Sequence, residues 1–384
     1  MTNTIKLSEI YDKNINFLIG AGASYGLFPT LELGLKSADG NWQSIETLAT
    51  QFESEGEDDN SALLFMHYYK KCIEPAIAFK LEDAKANPDQ KLVVDNYRVF
   101  LETLLAVLQK KTDNKRCNVF TTNYDGCFVH VADEILQSGH IDFVINDGAS
   151  GFQKRYIRAK NYNNYTYQSG VFERHHIDIP QINLIHVHGS VYWTKENESI
   201  RVNYDYDANQ KRCLSGKGFD DLDKFSVILE DAAKTTDDLP VPGVGIVFKD
   251  ADRISFWEDY NQLPIVNPTK WKFHETVFEE QYYQMLRLLS YELEKPNSVF
   301  ITFGFSFADE HILNLIKRSL SNPSLQLFVC CFNKKEHDKM KECFKVNRNV
   351  TLIEVGKDLD FSTFNNDVFT FDPPSSSAPK ISTL

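Results

Sequence analysis

Seven short apolar runs, separated by stretches of helical or irregular character, constrain the fold of this chain more than any other feature. They occupy residues 15–20, 117–122, 141–145, 182–189, 298–304, 325–332 and 350–355. The runs lack polar alternation, which is typical of strands that are covered on both faces of a parallel sheet. The pattern therefore predicts an α/β fold with a doubly wound, mostly parallel sheet.

The stretches between the runs predict one elaborated domain over residues 1–365. Amphipathic spacing predicts a helical insertion at about 41–112, and irregular insertions at about 147–180 and 193–270 are candidates for a small subdomain or lid. Residues 276–295 predict an amphipathic helix. Residues 263–273 predict a rigid loop in which Lys270 or Trp271 is a candidate to line a pocket. Residues 366–384, which include "DPPSSSAPKISTL", predict a disordered tail.

Composition excludes several classes of partner. The chain has 41 Lys and Arg against 54 Asp and Glu, a formal charge of −13, which argues against direct nucleic-acid binding. It has no cationic, apolar leader and no apolar segment of roughly 18 residues, so we expect a cytoplasmic protein without a membrane partner. The seven scattered cysteines include no C-x-x-C pair, which indicates reduced thiols and no zinc site.

The segment "NINFLIGAGASYG", residues 14–26, predicts a buried strand that leads into a turn of Gly20, Ala21, Gly22 and Ser24. Glycine permits close approach to the main chain, and free N–H groups at a helix start attract phosphate. The turn therefore indicates a nucleotide or dinucleotide. The third glycine, Gly26, stands one place late for G-x-G-x-x-G, so a turn that only packs a helix on the sheet is the alternative.

Polar residues follow three other predicted strands. "FTTNYDG" places Asn123 and Asp125 there, "LIHVHGS" places His186 and His188, and "ITFGFSFADEHI" places Gly304, Ser306 and Asp309. Parallel strands bring these groups to one edge, where α/β sheets bind ligands. A helix cap is the alternative for Asp125, and a structural role is expected for His186. Asp309 is expected to cap a helix or contact a ribose. The adjacent residues of "DEH" at 309–311 point in different directions, so no metal is expected there.

The ordered set "GAGAS", "TNYD", "VHGS" and "GFSFAD" resembles the sirtuin-type NAD-binding domain over residues 20–309. The resemblance implies a Rossmann-like sheet and NAD as substrate. It implies that Gly20, Ala21, Gly22 and Ser24 hold the diphosphate, and that Asn123 and Asp125 lie in the nicotinamide-ribose pocket. It further implies that His188 is the catalytic histidine, that Gly304 and Ser306 lie beside the adenosine, and that Asp309 belongs to the cofactor-binding set.

Departures from the family pattern narrow the expected activity. Pro29 is followed by Thr30-Leu31-Glu32 where sirtuin deacylases have Asp-Phe-Arg, Thr122 replaces a glutamine, and the zinc-binding cysteines are missing. The pattern is closer to bacterial sirtuin-like enzymes of antiphage defence, which hydrolyse NAD. Some of these act with a HerA-like ATPase, others with an Argonaute or fused sensor domains. The resemblance therefore implies an NAD+ hydrolase of abortive infection, activated by such a partner or as a homo-oligomer.

The residues themselves suit that chemistry. Nicotinamide leaves a ribose that develops oxocarbenium character, as in other glycosidic reactions. Asn123 can position a water or a ribose hydroxyl, and a neutral His188 can accept a proton. Two alternatives stay open at this point: an NAD-dependent protein deacylase, and a non-catalytic receptor for NAD or an ADP-ribose-type signal.

Overall fold

The computed structural model describes residues 5–169, 176–210, 222–240, 250–268 and 276–371. Its centre is a sheet of seven strands: β1 (Asn14–Ile19), β2 (Arg116–Thr121), β3 (Val144–Asn146), β4 (Gln181–His186), β5 (Ser298–Phe303), β6 (Gln326–Cys330) and β7 (Val350–Ile353). The strands lie in the order β7-β6-β5-β1-β2-β4-β3, and every neighbouring pair is parallel. The predicted α/β fold is confirmed.

The strand order reverses beside β1. From β1 the chain builds β2, β3 and β4 on one side, and it then crosses to β5 on the other side. The crevice beyond the carboxyl ends of β1 and β5 is therefore the switch point of a doubly wound sheet. Ligands of such sheets bind at this point.

A row of hydrogen-bonded amides, three buried and one partly buried, joins four strands. Asn16, Asn118, Asn183 and Asn146 occupy paired positions on β1, β2, β4 and β3. Asn118 donates to Asn16 at 2.7 Å, Asn183 donates to Asn118 at 2.8 Å, and Asn146 donates to Asn183 at 3.0 Å. A one-residue slip would turn these amides to the other face of the sheet, so the row favours one register.

Helices cover both faces of the sheet. The helices are Leu7–Ile10, Ile45–Glu55, Asp58–Tyr68, Glu74–Ile77, Leu81–Ala86, Pro88–Lys110, Cys127–Ser138, Tyr206–Gln210, Leu222–Leu229, Asp250–Tyr260, Thr276–Glu294, Glu310–Ser319, Lys334–Cys343 and Phe361–Thr363. Shorter 3₁₀ turns lie at Ala21–Ser24, Ala159–Asn163 and Thr236–Asp238, and π-helical turns at Tyr69–Ile73 and Phe364–Val368. On one face Phe17 packs with Phe100 and Phe369, whereas on the other Leu18 belongs to the cluster of Met285 and Ile312.

The helices of residues 41–112 divide between two cores. Helix Pro88–Lys110 covers the sheet, whereas the helices between residues 45 and 77 pack against Leu222–Leu229 and Asp250–Tyr260 in a second core. The interval expected to be one helical insertion therefore serves two structural units. Apolar side chains spaced for a helix are needed equally in both places.

Short antiparallel strands fill the remaining insertions. Ala149–Ser150, Arg155–Ile157, Trp193–Glu196 and Ser199–Val202 form one small sheet, while Glu32–Lys36 pairs with Trp42–Ser44 and Tyr167–Ser169 pairs with His176–Asp178. Val368 and Phe369 are buried, so the ordered chain continues into the interval predicted to be a tail. Residues 372–384, together with Lys270 and Trp271, lie outside the described residues. In the described part of the chain, no helix combines the length and apolarity that crossing a bilayer requires.

Candidate active site

Two glycine turns meet at the switch point, one after β1 and one after β5. The N–H groups of Gly20 and Gly22 donate to the carbonyl oxygens of Phe303 and Gly304, both at 3.0 Å. A Cβ on Gly20 would lie 2.4 Å from the Gly304 oxygen, and one on Gly22 would lie 2.7 Å from the Gly304 Cα. Gly304 itself has a φ of +65°, which favours glycine. Main chain therefore packs on main chain.

This contact explains why the first strand ends in a turn with almost no side chains. The Ala23 N–H donates to the Gly20 carbonyl, so three N–H groups of the turn already have partners in the protein. Ala21 is exposed, and Ser306 is exposed beyond β5, where its Oγ accepts from the Ala308 N–H at 3.4 Å. The packing role of the glycines is what the geometry shows, and their contact with a diphosphate stays a prediction.

Ser24 joins the glycine turn to the end of β2 through a buried hydrogen-bond cluster. Its Oγ accepts from the Asn123 Nδ2 at 3.0 Å and donates to the Asp125 Oδ2 at 2.8 Å. The Tyr97 hydroxyl lies 2.7 Å from the same Oγ. Because a serine hydroxyl has one proton, already given to Asp125, Tyr97 is the donor of the third bond. The cluster fixes Asn123 and Asp125 relative to the turn.

Asp125 has partners for both carboxylate oxygens. Oδ2 accepts from Ser24, and Oδ1 accepts from the Cys127 N–H at 3.0 Å, at the start of helix Cys127–Ser138. One oxygen thus bonds the first N–H of this helix, although the N-cap residue itself is Gly126, and the other oxygen orients Ser24. A ribose contact by Asp125 stays a prediction.

Asn123 presents a polar atom that the protein leaves unpaired. Its Nδ2 is held by Ser24, and its N–H donates to the Thr121 Oγ1 at 3.0 Å. The side chain is buried, and its Oδ1 has no hydrogen-bond partner among the described residues. A buried acceptor without a donor costs about 1–3 kcal/mol. A hydroxyl group brought here by a ligand would remove that cost.

His186 is buried behind Asn123. Its Nδ1 lies 3.0 Å from the Asn123 carbonyl oxygen, so Nδ1 carries a proton and donates. Burial lowers the pKa of His186, although the bond to Asn123 opposes that shift. In the described structure its Nε2 has no partner. The side chain contributes to a small cavity lined also by Val187, Gly189, Trp193, Pro264, Tyr282 and Met285. His186 therefore has the hydrogen bond expected of a structural histidine at Nδ1, but not at Nε2.

His188 pairs with Asp309 across the sheet edge. The His188 Nε2 lies 3.0 Å from the Asp309 Oδ2, and 14% of the His188 side chain is exposed. The other oxygen, Oδ1, accepts from the N–H groups of His311 and Ile312 and caps helix Glu310–Ser319. The capping role expected for Asp309 is confirmed, and its hydrogen bond with His188 was not anticipated. Across the described ranges, no three His, Cys, Asp or Glu side chains are grouped as metal ligands.

Strand register brings Asn123 and His188 to equivalent positions. Thr121 on β2 pairs with His186 on β4, and Asn123 and His188 each follow that pair by two residues. Neighbouring strands lie about 4.8 Å apart, so the two side chains begin from adjacent points of the edge. The strand-end residues predicted from sequence therefore do come together beside the glycine turns.

A segment that sequence analysis predicted to be a rigid loop covers the turn after β4. The Val266 N–H donates to the His188 carbonyl at 2.9 Å, and the Tyr124 hydroxyl donates to the Val266 carbonyl at 3.1 Å. Gly189 has a φ of +82°, and a Cβ there would lie 1.9 Å from the Pro264 oxygen. The segment thus fixes the main chain on which His188 stands. Tyr97 and Val266 were missed as site residues because nothing in their local sequence distinguishes them from core residues.

Comparison with known proteins agrees with this arrangement. A family model described as a SIR2-like domain matches residues 118–353, more than half of the chain. The match covers the strand ends that carry Asn123, His188 and Asp309, and it begins after the first glycine turn. No curated protein matches the chain. A SIR2-like domain implies NAD binding and an NAD-dependent activity. The motif order, the parallel sheet and the matched segment agree, and the chain belongs to the SIR2-like family.

Proposed function

We propose that this protein is an NAD+ hydrolase that cleaves the bond between nicotinamide and ribose. The observation that carries the proposal is the buried, unpaired Oδ1 of Asn123, held at the same sheet edge as His188. NAD use follows from the family, and the choice of hydrolysis rests on these two side chains together with the missing zinc cysteines. A hydrolase needs only to hold the ribose, stabilise its charge and direct a water.

Asn123 is the proposed positioning group for the reacting ribose. Its Nδ2 is committed to Ser24, so its Oδ1 is the atom that can accept a hydrogen bond from a ribose hydroxyl or a water. Because the amide is buried and anchored, it does not have to be ordered when substrate binds. Preorganised polar groups of this kind act without reorganisation cost.

His188 is the proposed proton acceptor. As the glycosidic bond breaks, its electron pair goes to the nicotinamide nitrogen, which becomes neutral. A water oxygen then bonds to the ribose carbon and passes a proton to His188. The Asp309 carboxylate, 3.0 Å away, stabilises the imidazolium so formed. ADP-ribose is the product, or a cyclised form if an internal group takes the place of water.

The remaining predicted residues are proposed as binding groups. Ser24 holds Asn123, Asp125 holds Ser24, and Asp125 is proposed to face the nicotinamide ribose. The first glycine turn is proposed to contact the diphosphate through Gly20, Ala21, Gly22 and Ser24, and the second turn is proposed to contact the adenosine through Gly304 and Ser306. Asp309 is treated separately below, because its contacts support another role.

We further propose that the enzyme serves bacterial antiphage defence by abortive infection. The support is the resemblance of the motif set to defence-associated sirtuin-like enzymes. Because cells do not tolerate constant NAD loss, the activity is expected to be low until a HerA-like ATPase, another defence partner or self-association activates it. The neighbouring genes identify which partner to add.

One assay separates the candidate functions. Purified protein is incubated with NAD alone, with NAD plus an acetyl-lysine peptide, and with NAD plus the products of neighbouring genes, and nicotinamide is quantified. The proposal expects release without peptide. Release that requires the peptide, with an acylated ribose product, would identify a deacylase. Binding of NAD without turnover in all three mixtures would identify a receptor.

A further inference from the structure

We infer that Asp309 is a positioning residue, which holds His188 in the tautomer whose Nδ1 is free to take a proton. The inference rests on the proposed hydrolase function, in which His188 is the proton acceptor. It assigns to Asp309 a role other than the ribose contact expected from sequence.

The contacts of Asp309 leave its carboxylate little freedom. Oδ1 accepts from His311 and Ile312 at 2.9 and 3.1 Å, while Oδ2 lies 3.0 Å from the His188 Nε2. Only 5% of the side chain is exposed. The carboxylate is therefore fixed to the start of a helix, and the imidazole ring must orient itself to the carboxylate.

Capping alone does not require an acid at this position. Asn87 caps helix Pro88–Lys110 through its Oδ1, and Asn333 caps helix Lys334–Cys343 in the same way. Asparagine and aspartate are about equally good caps. What an aspartate adds at position 309 is a second oxygen that can only accept, and that oxygen faces His188.

The loop that delivers Asp309 holds an unfavourable conformation. Phe307, two residues earlier, has a φ of +58° although it is not glycine. Its ring is buried and lies 5.0 Å from Phe305 and 5.6 Å from Phe344, measured between centroids. Such conformations persist where the surroundings enforce them, and they occur often at functional sites. Aromatic packing thus keeps the loop in the shape that aims Asp309 at the ring.

The pairing determines where a neutral His188 carries its proton. A carboxylate only accepts hydrogen bonds, so the His188 Nε2 must donate to it. The ring proton then lies on Nε2, and Nδ1 keeps its lone pair. When Nδ1 takes the proton of the attacking water, the imidazolium retains its bond to Asp309. A carboxylate in this place also stabilises the charge that forms.

The decisive variant is Asp309→Asn. The amide oxygen has to remain on the two helix N–H groups, so the amide nitrogen faces His188 and donates to Nε2. The ring proton is thereby moved to Nδ1, while the cap is preserved. We expect the rate of nicotinamide release at saturating NAD to fall by about 10²–10⁴-fold, with little change in NAD affinity and thermal stability. Asp309→Ser, which caps the helix but does not reach the ring, should lose less.

The ring nitrogens are read directly by ¹⁵N NMR of histidine-labelled protein at alkaline pH, with His188→Gln to assign the signals. Wild type should carry its proton on Nε2, and D309N on Nδ1. Asp360→Asn is the matched control, because Asp360 caps helix Phe361–Thr363 and belongs to no part of the site. Unchanged nitrogen signals or undiminished release in D309N would overturn the inference. If wild type releases no nicotinamide even with the products of neighbouring genes, the hydrolase proposal fails, and the nitrogen signals still decide the role of Asp309.

Discussion

The two sides of the switch point differ in which atoms form them: main chain on one side and polar side chains on the other. Where β1 and β5 end, Gly20, Gly22 and Gly304 bring main chain against main chain, and each added Cβ would overlap a neighbour. Where β2 and β4 end, the edge consists of side chains, with Asn123 anchored by Ser24 and His188 anchored by Asp309. The glycine side therefore determines the shape of the crevice, and the polar side provides its chemistry. A glycine-rich turn indicates that another group packs closely against its main chain, and here that group is the turn after β5.

His188→Ala should have the largest effect of any change at the polar side. Loss of the proton acceptor is expected to reduce nicotinamide release by about 10²–10⁴-fold. The melting temperature should stay near that of wild type, because the ring is partly exposed and its removal leaves only Asp309 to be solvated. Release is measured by chromatography and folding by circular dichroism.

The control for that prediction is His140→Ala, since His140 is exposed and lies after helix Cys127–Ser138, away from the edge. It should retain full activity. Equal rates in H188A and wild type would show that the chemistry does not reside on the polar side.

Gly304→Ala should have the largest effect on stability at the glycine side. The new methyl would lie 2.7 Å from the Ala23 nitrogen on a residue with φ +65°, so backbone strain and overlap add. We expect a loss of about 2–4 kcal/mol in the free energy of unfolding. Gly356→Ala is the matched control, with φ +74° but no atom within 4 Å. It should cost only the strain, about 1–2 kcal/mol. Equal losses in urea titrations would refute the close packing of the turns.

Ser24→Ala tests the link between the two sides. The substitution removes the partner of Asn123, Asp125 and Tyr97 at once, and we expect a loss of about 1–3 kcal/mol in stability together with a marked loss of nicotinamide release. Tyr97→Phe removes one donor but leaves Asn123 on the serine, so it should cost about 1 kcal/mol and retain activity. A variant Y97F as inactive as S24A would contradict the anchoring of Asn123 by Ser24.

Acidification should weaken the polar side slightly, through His186. Its folded-state pKa is lowered by burial from 6.5, so the neutral form contributes stability that is complete above pH 6.5 and is lost as the pH falls. Between about pH 7.5 and 5.5, wild type should lose more stability than His186→Gln. Unfolding free energies at the two pH values check this.

His67 provides the comparison for that experiment. Burial lowers its pKa to about 4, and its Nδ1 pairs with the Ser226 Oγ at 2.8 Å in the second core. His67→Gln should therefore flatten the pH dependence of stability in the same direction while leaving nicotinamide release unchanged. An identical slope in wild type, H186Q and H67Q would mean that neither ring is held neutral by the fold.

The sheet was predictable because buried parallel strands have a simple pattern. β3 was the least accurate case: residues 141–145 were expected, whereas Val144–Asn146 forms the strand. Asn146 is polar and was not counted, yet it pairs with Asn183 inside the sheet. The hydrogen bond that stabilises Asn146 in the strand comes from Asn183, 37 residues later in the chain. No local sequence pattern reveals such a partner.

The same limit applies to the site. The positions of Asn123, His188 and Asp309 after strands were predictable, because strand ends of a parallel sheet share an edge. The partners were not, since Ser24 is 73 residues from Tyr97 and 101 from Asp125, and His188 is 121 from Asp309. Nor could sequence show that the two glycine turns pack so closely that neither leaves room for a Cβ on the other.

The most direct test of the account is a crystal structure with a hydrolysis-resistant NAD analogue. We predict that the dinucleotide crosses the switch point, with a hydroxyl of the nicotinamide ribose, or a water beside it, within 3.2 Å of the Asn123 Oδ1 and the glycosidic carbon facing His188. An analogue bound elsewhere, or an Asn123 Oδ1 paired with a protein group in the complex, would contradict the account.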